Sequence, residues 1–246
     1  MKERLRNYLQ THGFGHFDLK AVIFDMDGVL YDSMPAHEKS WRQTMDERQL
    51  SSLPGEFYLH EGRTGKSTVD ILFQRNLGRN ATEEEARRIY VRKTELFQQY
   101  NTGALIPHAK ETLEWVKRHG LKCVLVTGSG QPSLLDRLDL NFPGIFSPET
   151  MVTAFDVIHG KPDPEPFLKG LQKAGDLLPN QAFVIENAPL GIKAATGAGI
   201  FTLAVNTGPL DDEMLLEAGA SVVFDSMTSL YEKLPEMVDL FQSIRI

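Results

Sequence analysis

The stretch AVIFDMDGVLYDS, residues 21–33, decides the fold. Its first four residues, Ala21 to Phe24, are apolar and predict a short strand buried on both faces. The strand ends in two carboxylates, Asp25 and Asp27, and Gly28 follows at once. Like charges repel each other, and burial disfavours their ionised forms. We therefore expect a neutralising group beside this pair.

The rest of the chain alternates between short apolar runs and helical patterns. Further strands are predicted at residues 122–127, 182–186, 201–205 and 221–224. Helices are predicted at residues 109–120, 132–140, 164–175, 189–199 and 211–219. This alternation predicts an α/β protein with a Rossmann-like parallel sheet core flanked by helices.

Residues 35–103 interrupt the alternation. They contain three helical patterns, at residues 35–48, 66–77 and 82–99, and no convincing strand. Ligands of such sheets bind beyond the carboxyl ends of the strands, which is where this insert lies. We therefore predict an all-helical cap domain after strand 1. The predicted divisions are an N-terminal helical extension (1–19), the cap (35–103), and a core made of 20–34 and 104–246.

Composition excludes several classes of function. The chain has 246 residues, a formal net charge of -7 and a single cysteine. An acidic surface does not suit a nucleic-acid partner, and no apolar run is long enough to span a bilayer. We expect a cytoplasmic protein that acts on a small molecule, with no nucleic acid or membrane partner, and a monomer by default.

Polar side chains follow three of the predicted strands where each one ends. The strand ends carry Asp25 and Asp27, then Thr127 and Ser129, then Glu186 and Asn187. The carboxyl ends of parallel strands share one edge of a sheet, so these groups should converge. Lys161, in a proline-rich loop that opens a helix, could reach the same place.

These residue types fit phosphoryl transfer. Asp25 could attack phosphorus to give an aspartyl-phosphate, and Asp27 could protonate the leaving oxygen and then activate water. Asp25, Asn187 and a backbone carbonyl near Asp27 are hard oxygen ligands that suit Mg²⁺. Thr127 and the amides of Gly128 and Met26 would bind the phosphoryl oxygens, while Lys161 offsets their charge.

Four motifs resemble those of the haloacid dehalogenase superfamily: DMDGVLYDS from residue 25, VTGS from 126, GKPDP from 160 and VIENAPLGIKAA from 184. With the helical insert, the set is similar to the β-phosphoglucomutase-like branch. The resemblance implies Asp25 as nucleophile, Asp27 as general acid and base, and Thr127 and Lys161 as phosphate ligands. It also implies Mg²⁺ held by Asp25, Asp27 and the position of Asn187, and a cis peptide between Lys161 and Pro162.

The fourth motif departs from the pattern of the branch, which usually has Glu-Asp where this chain has Glu186-Asn187. Asn keeps an oxygen ligand but removes one negative charge, so by itself it should weaken Mg²⁺ binding. Glu61, on the cap, is the best candidate to restore that charge when the cap closes. Glu186 completes the set of candidate metal ligands.

The cap stretch HEGRTGKST, residues 60–68, is similar to bacterial inorganic pyrophosphatases of this superfamily. The candidate cations for the leaving group are Arg63, Lys66 and Lys93. His37 lies where the first cap helix begins, and the branch often has a histidine at this hinge. For Lys93 a solvated helix face, and for His37 a surface position, are the alternative interpretations.

The sequence thus favours a Mg²⁺-dependent phosphohydrolase that acts on inorganic pyrophosphate. The alternatives are β-phosphoglucomutase, which converts β-glucose 1-phosphate to glucose 6-phosphate, and a small sugar-phosphate phosphatase. A phospho-accepting regulatory module is a third class, which steady-state phosphate release would distinguish from an enzyme.

Overall fold

One parallel sheet forms the centre of the protein. The computed structural model describes residues 1–129 and 132–246, and within them six strands pair in the order β3-β2-β1-β4-β5-β6. The strands are β1 (Ala21–Phe24), β2 (Lys122–Val126), β3 (Met151–Val152), β4 (Ala182–Glu186), β5 (Phe201–Val205) and β6 (Val222–Phe224). The predicted α/β fold is confirmed. Strand β3 was not predicted, because two residues carry no periodicity.

The apolar run of β1 is explained by burial on both of its faces. Val22 and Phe24 pack into one hydrophobic cluster, whereas Ala21 and Ile23 pack into another on the opposite face. In register, Phe24 lies opposite Leu125 of β2 and Ile185 of β4. Because these three strands are aligned, the residues that follow them are brought to one edge of the sheet.

The helices are α1 (Lys2–His12), α2 (Met34–Asp46), α3 (Glu56–Leu59), α4 (Gly65–Leu77), α5 (Glu83–Tyr100), α6 (Ala109–Arg118), α7 (Pro132–Asn141), α8 (Glu165–Lys173), α9 (Pro189–Gly197), α10 (Asp212–Glu217) and α11 (Met227–Ser243). Each predicted helix is present with small shifts at its ends. The sequence analysis missed α3, which is a single turn, and α11, which contains Pro235 in its interior.

Helices α2 to α5 lie between β1 and β2 and have a hydrophobic cluster of their own, which includes Trp41, Phe57 and Leu72. Residues 35–103, all of which the structure describes, contain no strand. We call residues 35–103 the cap segment. The boundaries that divide the chain into domains stay a prediction.

The N-terminal helix α1 packs against the sheet. Leu5, Tyr8 and Leu9 are buried in the same cluster as β1, and the Tyr8 hydroxyl donates a hydrogen bond to the carbonyl of Gly199 at 2.8 Å. None of the described helices is long and apolar enough to cross a membrane.

Candidate active site

The two carboxylates that end β1 are buried at the edge of the sheet. Asp25 is 4% exposed and Asp27 is 7% exposed. Lys161 lies between Asp25 and Glu186, and its Nζ donates to Asp25 Oδ1 at 2.5 Å and to Glu186 Oε1 at 2.6 Å. This ammonium is the first group that neutralises the acidic strand ends. The peptide between Lys161 and Pro162 is cis, as the resemblance implies.

The pKa values of this buried group reflect its charges. Burial raises the pKa of Asp25 to about 8, against the opposing effect of the Lys161 charge, and the charges of Glu186 and Asp27 raise it further. Burial alone would lower the pKa of Lys161, but the charges of Asp25 and Glu186 raise it above the ordinary lysine value. Lys161 is therefore a fixed positive charge, able to stabilise phosphoryl oxygens.

Asp27 has neighbours that favour its charged form. The hydroxyl of Ser33 donates to Asp27 Oδ1 at 2.5 Å, and His37 Nε2 lies 3.4 Å from the same oxygen. Burial works against ionisation, but contacts with His37 and Ser33 and the charge of Lys93 lower the pKa of Asp27 below its ordinary value. Sequence reasoning did not single out Ser33, although it is the last residue of the first motif.

Lys93 is buried, not solvated. It is 2% exposed, and its Nζ lies 2.7 Å from His37 Nδ1. The ammonium also lies near the rings of Phe97, at 4.8 Å, and Trp41, at 5.7 Å. Burial lowers the pKa of Lys93 to about 7, and the charge of Asp27 opposes this effect. A chain of polar contacts thus runs from Lys93 through His37 to Asp27.

The cap segment places Glu61 against the fourth motif. Asn187 Nδ2 donates to Glu61 Oε2 at 3.1 Å. Burial raises the pKa of Glu61 well above its ordinary value, and the charges of Asp25, Glu186 and Asp27 act in the same direction. The structure thus brings Glu61 close to the carboxylates, as the predicted role in metal binding requires.

Two oxygens beside the contact between Glu61 and Asn187 are unpaired among the described residues. Glu61 Oε1 and Asn187 Oδ1 are buried, and neither has a hydrogen-bond partner among the described residues. Buried oxygens are normally satisfied, and hard oxygens among several carboxylates suit Mg²⁺. The described residues contain no group of three or more His, Cys, Asp or Glu side chains arranged to hold a metal ion. A complete shell would therefore include Asn187 and backbone or water oxygens.

Glu186 has a different environment from the other predicted metal ligands. Its Oε1 accepts from Lys161, while its Oε2 accepts from the backbone amides of Asn187 at 2.8 Å and Ala188 at 3.0 Å. An added Cβ at Gly191 would lie 1.6 Å from Glu186 Oε1, so a glycine is needed there. With both oxygens engaged, Glu186 fits a role in positioning Lys161 better than direct metal binding.

The predicted phosphate ligands Thr127 and Met26 lie in the loops that follow β2 and β1. Thr127 is 3% exposed, and its hydroxyl accepts a hydrogen bond from the Ser129 amide at 2.9 Å. The carbonyl of Met26 accepts from the amides of Leu30 and Tyr31, which closes the turn after β1. The sequence analysis did not identify Thr207, whose side-chain hydroxyl donates to the Gly28 carbonyl at 2.6 Å and holds the same turn.

Glycines allow the cap segment to approach the core. An added Cβ at Gly62, where φ is +85°, would lie 2.9 Å from Lys161 Cδ. A Cβ at Gly128 would lie 3.0 Å from the carbonyl oxygen of Gly62. Such distances leave no room for a side chain, so these two glycines set how closely Glu61 approaches the core.

A partly enclosed cavity of about 70 Å³ lies between the cap segment and Asp27. Arg63, Lys93 and His60 contribute basic groups to its lining, while Trp41, Phe57 and Tyr90 contribute aromatic ones. Lys66, predicted as a third cation, does not line it. The Lys66 ammonium instead lies 2.5 Å from Asp70 Oδ2, one helical turn along α4, in the i,i+4 arrangement that pairs opposite charges.

Comparisons with known proteins agree with this geometry. Residues 19–199 match the family described as haloacid dehalogenase-like hydrolase, and the chain belongs to that family. A solved structure described as a putative β-phosphoglucomutase from Bacteroides vulgatus superposes with a TM-score of 0.94 at 51% identity and covers 98% of each chain. Within the family, the chain belongs to the β-phosphoglucomutase-like branch.

Two relatives of known activity are similar over most of their length. Hexitol phosphatase A of Escherichia coli K12 is 31% identical over 80% of this chain and 88% of its own. A phosphorylated carbohydrates phosphatase of Thermotoga maritima is 32% identical over 82% of this chain and 92% of its own.

Proposed function

We propose that the protein is a Mg²⁺-dependent phosphatase that hydrolyses a small phosphorylated carbohydrate or polyol through an aspartyl-phosphate on Asp25. The observation that carries the proposal is the buried cluster of Asp25, Asp27 and Lys161 beneath the cap segment. Both relatives of known activity act on phosphorylated carbohydrates or hexitols, which favours this substrate class over pyrophosphate.

In this reaction Asp25 is the nucleophile, and Asp27 is the general acid and base. An oxygen of Asp25 attacks phosphorus, and the bond from phosphorus to the leaving oxygen breaks while Asp27, which has to be protonated for this step, gives that oxygen a proton. The negative charge of a phosphate group bound beside Asp27 favours this protonated form. In the second half, Asp27 takes a proton from a water molecule that attacks the phosphorus. The bond to Asp25 then breaks, which releases phosphate and restores the carboxylate.

Lys161, Thr127 and the neighbouring backbone stabilise the charge on the transferred group. The Lys161 ammonium, already within hydrogen-bonding distance of Asp25, lies where the phosphoryl oxygens arrive. The carboxylate of Asp25, the backbone carbonyl of Asp27, Asn187 Oδ1 and Glu61 Oε1 would hold Mg²⁺. When bound, Mg²⁺ supplies positive charge that favours the ionised form of Asp25 and offsets the charge of the phosphoryl oxygens.

Inorganic pyrophosphate is the second candidate substrate, because two features favour a small leaving group. The cavity of about 70 Å³ has room for only a few water-sized groups, since one water needs roughly 10–15 Å³ measured in this way. Glu61 also lines this cavity, so its side chain limits the space left for a leaving group. Both features select a small leaving group rather than pyrophosphate alone.

The test is phosphate release by purified protein with Mg²⁺ from a panel of sorbitol 6-phosphate, glycerol 1-phosphate and pyrophosphate. A coupled assay for conversion of β-glucose 1-phosphate to glucose 6-phosphate runs beside it. We expect hydrolysis of a polyol phosphate, with the shorter polyol favoured. Mutase turnover without phosphate release, or hydrolysis of pyrophosphate alone, would contradict the proposal.

A further inference from the structure

The loop after β5, residues 206–210, contacts the candidate active site although none of the four motifs includes it. It also lies beyond residues 19–199, which match the family. Hydrogen bonds of Asn206 fix the loop, since its amide donates to the carbonyl of Phe224 at 2.7 Å and its side chain donates to the carbonyl of Leu210 at 2.7 Å. The loop is therefore an ordered part of the core whose role the motifs do not explain.

Thr207 in this loop contacts the turn that follows β1. Its hydroxyl donates to the carbonyl of Gly28 at 2.6 Å. An added Cβ at Gly28 would lie 2.1 Å from Asn187 Nδ2, so the side chain of Asn187 lies directly against the same glycine. The carbonyl of Asp27, which precedes Gly28, and Asn187 Oδ1 are two of the proposed Mg²⁺ ligands. Thr207 therefore holds the backbone at which these two ligands meet.

Gly208, the next residue of the loop, contacts the cap segment. An added Cβ at Gly208 would lie 3.1 Å from Cδ1 and 3.3 Å from Cε1 of Tyr58, so the tyrosine ring lies against this glycine. Tyr58 belongs to α3 and precedes Glu61 by three residues. The carboxylate of Glu56, also in α3, accepts from the guanidinium of Arg75 at 2.6 Å, which ties α3 to α4. The contact between Tyr58 and Gly208 therefore limits how closely this part of the cap segment approaches the core.

The cap segment thus meets the core at two points on the side of the site that holds the proposed Mg²⁺ ligands. One is the contact of Tyr58 with Gly208. The other is the hydrogen bond that Glu61 accepts from Asn187. We propose that Thr207 and Gly208 are positioning residues for Mg²⁺ binding: Thr207 sets the place of ligands in the core, and Gly208 sets the place of the ligand on the cap segment. The inference rests on the proposed function, since it concerns the Mg²⁺ that this function requires.

The strict coordination geometry of Mg²⁺ makes these contacts important. Mg²⁺ requires near-ideal octahedral geometry with oxygens at about 2.0–2.1 Å, whereas Ca²⁺ accepts irregular shells at about 2.3–2.6 Å. A Cβ at residue 208 would displace the Tyr58 ring by a few tenths of an ångström. Glu61 lies on the same short stretch of the cap segment and would shift with the ring. A change at Gly208 should therefore weaken Mg²⁺ binding more than Ca²⁺ binding.

The experiment measures the Kd of Mg²⁺ and of Ca²⁺ by calorimetric titration of the purified full chain, beside the Tm of each variant. Thr207→Val removes the hydroxyl and keeps the shape of the side chain, whereas Thr207→Ser keeps the hydroxyl. Gly208→Ala adds the Cβ, and the same change in a Tyr58→Ala background tests whether that Cβ acts through the ring. Gly15→Ala is the matched control, because a Cβ there would meet nothing within 4 Å and neither glycine has a φ in the left-handed region.

We expect Thr207→Val to weaken Mg²⁺ binding about tenfold, since replacing groups that orient metal ligands typically costs about 10- to 100-fold in affinity. Thr207→Ser should restore the affinity. Gly208→Ala should weaken Mg²⁺ binding about 3- to 10-fold and Ca²⁺ binding by less than about twofold. In the Tyr58→Ala background it should have no further effect, because the contact that it strains is then absent. Gly15→Ala should bind both ions as the wild type does.

Wild-type Mg²⁺ affinity in both Thr207→Val and Gly208→Ala would overturn the positioning role and leave the proposed function intact. Equal losses of Mg²⁺ and Ca²⁺ affinity in Gly208→Ala would also overturn it, because they would indicate a general disturbance of the fold. An undiminished effect of Gly208→Ala in the Tyr58→Ala background would do the same, since the Cβ would then act elsewhere than on the cap segment. A wild type that binds no Mg²⁺ would remove the metal from the proposed function, and the positioning role with it.

Discussion

Replacement of Gly62 by alanine should impair catalysis far more than folding, because two separate costs arise at this position. The first is conformational: at φ +85°, a residue with a Cβ costs about 1–2 kcal/mol. The second is steric, since the added Cβ would lie 2.9 Å from Cδ and 3.1 Å from Cβ of Lys161. Either the cap segment moves away or Lys161 shifts from its contacts with Asp25 and Glu186.

The size of the catalytic effect follows from what Lys161 would lose. Hydrogen bonds to charged groups contribute about 1.5–3 kcal/mol each, and each 1.36 kcal/mol corresponds to roughly a tenfold change in rate. Misplacing one such contact of Lys161 therefore predicts a fall in kcat/KM of about 10- to 100-fold. The loss should fall on kcat as well as KM, because Lys161 acts on the transferred phosphoryl group.

Gly78 provides a matched control in the same cap segment. It ends α4 at φ +67°, and an added Cβ there would meet nothing within 4 Å. Gly78→Ala carries the conformational cost alone, about 1–2 kcal/mol, which lowers Tm by roughly 2–8 °C in a chain of this size. The assay is kcat and KM at saturating Mg²⁺ beside the thermal midpoint of each variant. Equal activity of Gly62→Ala and Gly78→Ala would refute the reasoning.

Three further changes have defined outcomes. Asp25→Asn should abolish turnover with little change in Tm, and residual turnover in clean protein would remove Asp25 as nucleophile. Glu61→Gln should raise the Mg²⁺ concentration needed for half-maximal activity without lowering the Tm of the metal-free protein, since its carboxylate is buried among like charges; an unchanged Mg²⁺ dependence would rule out a metal ligand. Burial lowers the pKa of Lys93 from 10.5 to about 7. Between these two pH values the Lys93 side chain is therefore mostly protonated in the unfolded chain and mostly neutral in the folded one. Unfolding free energy should therefore rise with pH across that window more steeply in the wild type than in Lys93→Met, and parallel pH profiles from denaturant titrations would show that Lys93 titrates normally.

Much of the core of the site could be predicted from the sequence because three of its residues lie at the end of a short apolar strand. Asp25 follows β1, Thr127 follows β2, and Glu186 ends β4, so the register of the sheet brings them together. The motif spacing and the parallel topology were enough to place them. The contact between Glu61 and Asn187 also agrees with the expectation that the cap reaches the fourth motif.

The sequence could not show which cap residues lie in the site, since helical periodicity does not show which side chains face a neighbouring element. Lys93 and Lys66 are both cations on cap helices, yet Lys93 is buried beside His37 whereas Lys66 pairs with Asp70. The Asp four residues after Lys66 was the one local signal of that pairing. His60 carried no signal, because its position depends on the turn that places Glu61.

The measurement that tests the central claim most directly is the mass of the peptide containing Asp25 after a rapid quench of the protein with acetyl phosphate and Mg²⁺. The account predicts an increase by one phosphoryl group on Asp25, absent from the Asp25→Asn variant. A protein that turns over its substrate without any such adduct, or with the adduct on another residue, would contradict the account.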